Sequence, residues 1–139
     1  MKERTLAIIK PDAVADNNAG RIITRIEESN LEIIAIKKLK LTAEQAGEFY
    51  AVHKGKPFYE DLVEYMTSGP IFVLALEGDE AIKEWRDLMG ATNPENAAEG
   101  TIRKEFGKSL SANATHGSDA AETARVEVAF FFDTDEFLW

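Results

Sequence analysis

The sequence lacks cysteine altogether. This absence excludes disulfides, thiolate metal sites and cysteine nucleophiles, and it is typical of proteins from a reducing compartment. No stretch approaches the roughly 20 uninterrupted apolar residues that a membrane-spanning helix needs. The start, Met1–Arg4, leads into a short strand-like run and not into the apolar segment of a secretory signal. We therefore expect a cytoplasmic protein with no membrane partner.

Basic residues are outnumbered, since 16 Lys and Arg stand against 25 Asp and Glu and give a formal net charge of -9. Binding along a nucleic acid backbone needs a basic surface large enough to displace counterions, so we expect no nucleic acid partner. A single nucleotide is a different case, because about three or four cations converging in one pocket are enough to bind it.

The chain also lacks internal repeats, low-complexity tracts and any linker rich in Pro, Gly or Ser. Its 139 residues, 45% of them hydrophobic, are enough to build and close a single core. We therefore expect one domain over residues 1–139.

Apolar periodicity predicts alternating strands and helices. The predicted strands are Thr5–Ile9, Leu31–Leu41, Ile71–Leu76 and Val126–Phe132. The predicted helices are Gly20–Ser29, a helix from its cap Thr42 to near His53, Phe58–Met66, a helix from its cap Asp79 to Met89, and Asp119–Arg125. Thr92–Thr115 has few apolar residues in period and is predicted to be a long loop, either functional or disordered.

This order of elements predicts an α+β fold. It is close to the split βαβ arrangement, in which helices pack on one face of a four-stranded antiparallel sheet. The fold class by itself does not determine a function.

Two familiar phosphate-binding motifs are absent. Gly107-Lys108-Ser109 resembles the end of a Walker A loop, but Ile102 occupies the position of its first glycine and no strand precedes it. No Gly-x-Gly-x-x-Gly occurs, so the sequence does not support a dinucleotide-binding or protein kinase site. Any phosphate chemistry must therefore use side chains.

Only two histidines are present as bases or nucleophiles near neutral pH. His53 lies beside Lys54 and Lys56 at a predicted helix end, where a cation suits the helix dipole, and we interpret it as structural. His116 precedes a predicted helix start. It is either an ordinary loop histidine, with Asp119 and Glu122 capping that helix, or a functional imidazole at an anion-favouring helix N-terminus.

A resemblance decides between these alternatives. Asn113-x-x-His116-Gly117-Ser118-Asp119 is similar to the active-site signature of the nucleoside diphosphate kinase family. Five further segments resemble the family in the right order: Thr5–Ala13, Lys56–Phe58, Met66–Pro70, Gly90–Pro94 and Gly100–Arg103.

The resemblance implies a ferredoxin-like fold and an enzyme that maintains nucleoside and deoxynucleoside triphosphate pools. It implies a ping-pong reaction in which ATP or another nucleoside triphosphate phosphorylates His116, and the phosphohistidine then passes the group to a diphosphate. Neutral imidazole is a competent nucleophile for such a step. The implied cofactor is Mg²⁺ carried on the nucleotide phosphates, with no protein metal site.

The resemblance also assigns roles to the residues that handle phosphate. Lys10, Arg86 and Arg103 match the cations that hold the phosphates. Tyr50 would place its hydroxyl near the transferred group, and Thr92 would bond the phosphate chain.

The remaining roles concern the base, the sugar and the imidazole. Phe58 matches the aromatic residue on which the base stacks, and stacking accepts any base. Leu110 would cover the other side of the base, and Asn113 with Lys10 would bond the sugar hydroxyls. Glu127 would orient the imidazole through its other nitrogen, with Ser118 nearby.

Three features depart from the family pattern. Ala120-Ala121 replaces the hydroxyl residue that commonly follows Asp119, Asp16–Ala19 is a polar approach to Gly20, and the C-terminus ends early at Phe137–Trp139. Family members assemble as hexamers, tetramers or dimers, and C-terminal segments help to set the assembly. We expect a homo-oligomer whose size is left open.

Three other functions fit the sequence less well. A non-catalytic nucleotide-binding module would not need the nucleophile His116. A ferredoxin-like nucleic acid binder is disfavoured by the charge and by the lack of an aromatic binding strand. A histidine phosphocarrier acting on proteins is disfavoured by Phe58 and Asn113.

Overall fold

A computed structural model describes residues 2–133 and 136–137 of the chain. The strands are β1 (Glu3–Ile9), β2 (Glu32–Leu39), β3 (Ile71–Gly78) and β4 (Thr115–Gly117). The α-helices are α1 (Pro11–Ala15), α2 (Ala19–Glu27), α3 (Ala43–Phe49), α4 (Tyr59–Met66), α5 (Ala81–Met89), α6 (Ile102–Phe106) and α7 (Ala121–Phe131). Short 3₁₀ turns span Ala51–His53 and Pro94–Asn96. No helix in the described residues is long and apolar enough to cross a membrane.

Across the described residues, four strands form one antiparallel sheet in the order β2-β3-β1-β4. The predicted α+β class with a four-stranded antiparallel sheet is confirmed. Strand β1 lies inside the sheet, pairing with β3 along its whole length and with β4 through Ala7–Ile9. This central position places the end of β1 beside β4.

Helices cover both faces of the sheet, so the expectation of one-sided packing was wrong. Alternate residues of β1 enter different apolar clusters: Leu6 and Ile8 join one, Ala7 and Ile9 the other. Successive side chains of a strand point to opposite faces, so the two clusters lie on the two sides of the sheet. The first contains residues of α3, α4 and α7, and the second contains residues of α2 and α5.

The predicted last strand, Val126–Phe132, is instead the greater part of helix α7. Its valines and phenylalanines favour a strand by propensity, but burial decides the outcome. Ala124, Val128 and Phe131 are buried at helical spacing, whereas Val126 is 70% exposed. The fourth strand is β4, which lies in the predicted loop and turn region and is too short to show a period.

Of the three predicted helix caps, the structure confirms one and contradicts two. Thr42 caps α3 as expected, and the backbone and side chain of Gln45 complete a capping box with it. Asp79 does not cap α5, which begins after Glu80 without a side-chain cap. Asp119 does not cap α7 either, because the N-cap position falls on Ala120, which has no side-chain acceptor.

The predicted loop Thr92–Thr115 is only partly irregular. It contains the 3₁₀ turn Pro94–Asn96 and the helix α6, and each begins with a side-chain cap, from Asn93 and Thr101 respectively. The segment therefore contains defined local structure and is not one continuous irregular loop.

Candidate active site

His116 lies in the middle of β4, paired with Ile8 of β1. The indole Nε1 of Trp85, a buried residue of α5, donates a hydrogen bond of 3.1 Å to the backbone carbonyl of His116. The next residue must be glycine, because a Cβ at Gly117 would lie 2.6 Å from the Trp85 ring. The close approach of Trp85 fixes the backbone that carries the imidazole.

Glu127 fixes the orientation of that imidazole. Its Oε1 lies 3.0 Å from His116 Nε2 and also accepts a 2.7 Å hydrogen bond from Ser118 Oγ. A carboxylate accepts protons in hydrogen bonds, so we assign the ring hydrogen of neutral His116 to Nε2. Nδ1 then holds the free lone pair. Glu127 was expected on a strand, but it reaches His116 from helix α7.

Tyr50 lies beside this pair at the end of α3. Its ring centroid is 6.5 Å from that of His116. Among the described residues its buried hydroxyl has no hydrogen-bond partner. Burial, together with the negative charge of Glu127, raises the pKa of Tyr50 above its ordinary value. The hydroxyl therefore stays protonated at neutral pH and can donate to an acceptor.

Lys10 follows the end of β1 and is nearly buried. Its Nζ donates a 2.8 Å hydrogen bond to Asn113 Oδ1, and Asn113 Nδ2 donates a 3.0 Å bond to the Thr92 carbonyl. Burial and, to a smaller extent, the positive charge of Arg103 lower the pKa of Lys10, and Asp12 partly opposes them, so that the pKa is about 8. Lys10 is thus a cation held in a dry environment, where it interacts strongly with an anion.

A strained turn connects Asn113 to β4. Ala114 has a φ of 73°, in the left-handed region that alanine disfavours, and the Thr115 amide donates to the Asn113 carbonyl across the turn at 2.9 Å. The Ala114 amide donates to Asp12 Oδ2 at 3.1 Å, and its carbonyl accepts from the Lys10 amide at 2.8 Å. The residues after β1 therefore hold the turn in place.

Arg103 is presented by α6 and is almost fully buried. Its guanidinium donates to the carbonyl of Gly90 at 3.1 Å and to that of Thr115 at 2.9 Å. Its buried Nε has no partner among the described residues. Burial and the neighbouring Arg86 lower the pKa of Arg103 to about 10, which leaves it charged at neutral pH.

An open cleft of about 770 Å³ connects several of these groups. Of the predicted site residues, it is lined by Arg86, Thr92, Arg103, His116 and Glu127. Within the described part of the chain, the exposed Arg86 forms no ion pair. The cleft therefore combines an imidazole with two guanidinium groups that form no ion pair in the described part of the chain.

Lys10, Tyr50, Asn113 and Ser118 are buried around the cleft and do not line it. The structure leaves Phe58 and Leu110 outside the lining, with 48% and 59% of their surfaces exposed. Phe58 lies 5.2 Å from the ring of His53, which does line the cleft.

Sequence reasoning missed three residues. His53, interpreted as structural, borders the cleft, and its ring centroid lies 6.4 Å from that of Tyr50 and 5.2 Å from that of Phe58. Asp12 and Trp85 hold the backbone around His116 from distant positions. The hydrogen bonds join Asp12 to Ala114 across 102 residues and Trp85 to His116 across 31, so no local pattern in the sequence could reveal these contacts.

A second cavity of about 540 Å³ lies between β1 and α7. Its lining is mostly apolar and includes Val128, Phe132 and Phe137. Its lining residues include no histidine, so it offers no imidazole chemistry comparable to that of the cleft.

Comparison with known proteins agrees with this geometry. The sequence model of the nucleoside diphosphate kinase family matches residues 3–137. The nucleoside diphosphate kinase of Oleidesulfovibrio alaskensis is 57% identical over 136 residues, 98% of each chain. That of Syntrophotalea carbinolica is 62% identical over 130 residues, 94% of this chain and 95% of the relative.

Solved structures give the same result. A crystal structure of the Aquifex aeolicus nucleoside diphosphate kinase superposes with a TM-score of 0.97 at 42% identity, covering 99% of this chain and 100% of that one. The halophilic nucleoside diphosphate kinase of Halobacterium salinarum, in complex with CDP, gives 0.95 at 42% identity, covering 100% and 93%. With a matching sequence model, close relatives and a shared fold, this chain belongs to the nucleoside diphosphate kinase family of phosphotransferases.

Proposed function

We propose that the enzyme works by a ping-pong reaction through a phosphohistidine on His116, taking the γ-phosphate of a nucleoside triphosphate and giving it to a nucleoside diphosphate. The observation that carries this proposal is the bond between His116 Nε2 and Glu127. It leaves the Nδ1 lone pair as the nucleophile, in a cleft bordered by Arg86 and Arg103.

In the first half-reaction, the Nδ1 lone pair of His116 forms a bond to the γ-phosphorus. The bond between that phosphorus and the bridging oxygen breaks, and the diphosphate leaves with its electron pair. The hydrogen on Nε2 stays with the ring, and the Glu127 carboxylate stabilises the positive charge that develops there. In the second half-reaction, a terminal oxygen of another diphosphate attacks the same phosphorus and the Nδ1 bond breaks.

Positioning and charge neutralisation are the main requirements of this exchange. Lys10, Arg86 and Arg103 would form the phosphate clamp. Lys10 and Arg103 suit this role because their charges are buried. Arg86 suits it because it forms no ion pair within the described part of the chain. The unpartnered Tyr50 hydroxyl would donate to the transferred group, and Thr92 at the cleft wall would bond the phosphate chain.

The sugar and the base would lie further out. The bond between Lys10 and Asn113 holds two polar groups together that could both reach ribose hydroxyls. Phe58 and Leu110 are exposed apolar side chains, as a stacking platform and its opposite wall require before a base binds. The relative from Halobacterium salinarum was solved in complex with CDP, which supports binding of a pyrimidine nucleoside diphosphate.

Mg²⁺ would arrive with the nucleotide. Among the described residues, no group of three or more His, Asp or Glu side chains could hold a metal ion, which fits a cation bound by the phosphates themselves. When bound, Mg²⁺ supplies neutralisation of phosphate charge. The protein side chains bind and orient the phosphates around it.

We extend the proposal to the state of the protein. It would form one domain over residues 1–139, act in the cytoplasm and assemble as a homo-oligomer. The family match over residues 3–137 supports the single domain, and the absence of cysteine supports a reducing compartment. Light scattering coupled to gel filtration measures the assembly.

The proposal is tested by incubating the protein with γ-labelled ATP and Mg²⁺. We expect an acid-labile, base-stable label on His116 that moves to a second nucleoside diphosphate when that is added. In His116→Ala, labelling should be lost while nucleotide binding survives, because the clamp remains. Transfer at the normal rate in His116→Ala would exclude the mechanism, and bound nucleotide without label would favour a non-catalytic module.

A further inference from the structure

One side chain of helix α2 fastens the segment that presents Arg103. Arg25, in the last turn of α2, donates a 3.1 Å hydrogen bond to Glu105 Oε2 and a second hydrogen bond to the carbonyl of Gly100. These two acceptors lie on either side of Arg103 in the sequence. Arg25 therefore brackets the short helix α6 from outside the cleft.

The geometry of α6 links this contact to the cleft. Residues two positions apart on an α-helix point about 200° away from each other. With Glu105 facing α2, Arg103 must point to the other side of α6. There it meets the carbonyls of Gly90 and Thr115 and borders the cleft.

Helix α6 depends on its surroundings to hold its orientation, through its buried residue Ile102 and through the contact with Arg25. It spans only five residues, and isolated helices of that length are not stable in water. Among the described residues, the segment after α6 has one ion pair, between Lys108 and Asp16, whose side chains are 58% and 37% exposed, and such pairs contribute little. In the contact with α2, the side chain of Arg25 is 24% exposed and that of Glu105 is 50% exposed, and Arg25 adds a second hydrogen bond to the Gly100 carbonyl.

We infer that Arg25 is a positioning residue for nucleotide binding, and that it acts by orienting α6 so that Arg103 meets the phosphates. The inference rests on the proposed function, because it takes Arg103 as a phosphate ligand. Arg25 touches no nucleotide in this scheme, and its effect passes entirely through Arg103.

A double-mutant cycle tests this route. The Mg²⁺–ADP affinity is measured by calorimetry for the unsubstituted protein, Arg25→Met, Arg103→Met and the double variant. We expect Arg25→Met to weaken ADP binding about fivefold when Arg103 is present, and to have no further effect in the Arg103→Met background. A role in overall stability alone would not depend on Arg103.

Two further variants sharpen the test. Arg21→Met removes a cation from the same helix whose hydrogen bonds are local, to Asn17 and Asn18, and it should bind ADP normally. Glu105→Gln weakens the same contact from the α6 side. It should reproduce the effect of Arg25→Met if that variant folds poorly, as judged by thermal unfolding.

The experiment distinguishes a failure of the Arg25 inference from a failure of the proposed phosphate clamp. Unchanged ADP affinity in both Arg25→Met and Glu105→Gln, or an equal loss in both Arg103 backgrounds, would overturn the inference and leave the phosphate clamp standing. If Arg103→Met by itself bound ADP as tightly as the unsubstituted protein, the clamp would fail and the inference with it.

Discussion

The carboxylate of Glu127 lies 3.0 Å from the imidazole of His116, although the two residues belong to different elements. His116 is carried by β4, and Glu127 by the second turn of α7. The relative position of strand and helix therefore determines which ring nitrogen is free. Ser118 strengthens this arrangement by donating to the same oxygen of Glu127.

Replacing Glu127 with Gln should slow phosphorylation of His116. The amide oxygen still accepts from Nε2, but the negative charge that stabilises the charged ring is lost. We expect the rate of the first half-reaction to fall about 10-fold or more, with nucleotide affinity nearly unchanged. Rapid-quench measurement with labelled ATP checks this. Glu122→Gln, an exposed substitution on the same helix, serves as control, and a normal rate in Glu127→Gln would contradict the assigned role.

The lowered pKa of Lys10 predicts a loss of nucleotide affinity in mild alkali. Above about pH 8 the free enzyme loses the Lys10 proton, and a bound phosphate favours its return. The affinity for ADP should fall about tenfold from about pH 7 to about pH 9.5, with proton uptake on binding. Calorimetry in buffers of different ionisation enthalpy measures both. A Lys10→Met variant should lack this proton uptake.

The lowered pKa of Lys10 has the opposite effect on the stability of the fold, which should increase with pH where nucleotide affinity decreases. Between about 8 and the ordinary value of 10.5, the unfolded chain holds the Lys10 proton more tightly than the folded chain. The contribution of Lys10 to the free energy of unfolding should therefore rise with pH in this window and be constant below it. Urea denaturation of the unsubstituted protein and Lys10→Met across the window would reveal the difference. A falling contribution would contradict the assigned direction.

Substituting Trp85 with Phe should separate stability from affinity. The variant loses the hydrogen bond to the His116 carbonyl, which costs about 1 kcal/mol or more when the acceptor is left unpaired. The imidazole should be less well placed, so phosphorylation slows while ADP binding persists. Met89→Leu is the matched control, because Met89 also packs against Gly117 but makes no such bond. Equal effects in both variants would show that packing alone matters.

Ala120→Ser should stabilise the enzyme. Ala120 already has the extended backbone of an N-cap residue, with φ of -156° and ψ of 164°, but no side-chain acceptor. A serine hydroxyl there can accept a free amide of the first turn of α7 and add about 1 kcal/mol. Thermal unfolding measures the gain. Ala121→Ser, one residue inside the helix, should give no gain, and equal behaviour of the two variants would contradict the capping argument.

The sequence predicted the class of fold and, through resemblance, a set of site residues. The structure brings Arg86, Thr92, Arg103, His116 and Glu127 of that set to one cleft and leaves Phe58 and Leu110 outside its lining. Prediction from the sequence failed where long-range packing overrode local preference. Val126 and Val128 favour a strand, but the spacing of buried residues on the sheet made α7 a helix. The bond between Lys10 and Asn113 joins positions 103 residues apart, so only the folded sheet can reveal it.

The left-handed turn at Ala114 constrains the stage of folding at which the active site can form. A left-handed alanine is unfavourable on its own and persists only while Asp12 and Lys10 hold its amide and carbonyl. Those partners come from the opposite end of the chain. A growing polypeptide that has already paired β1 with β3 still has its histidine unplaced, and catalytic competence arrives only when the last quarter of the sequence closes over the first strand.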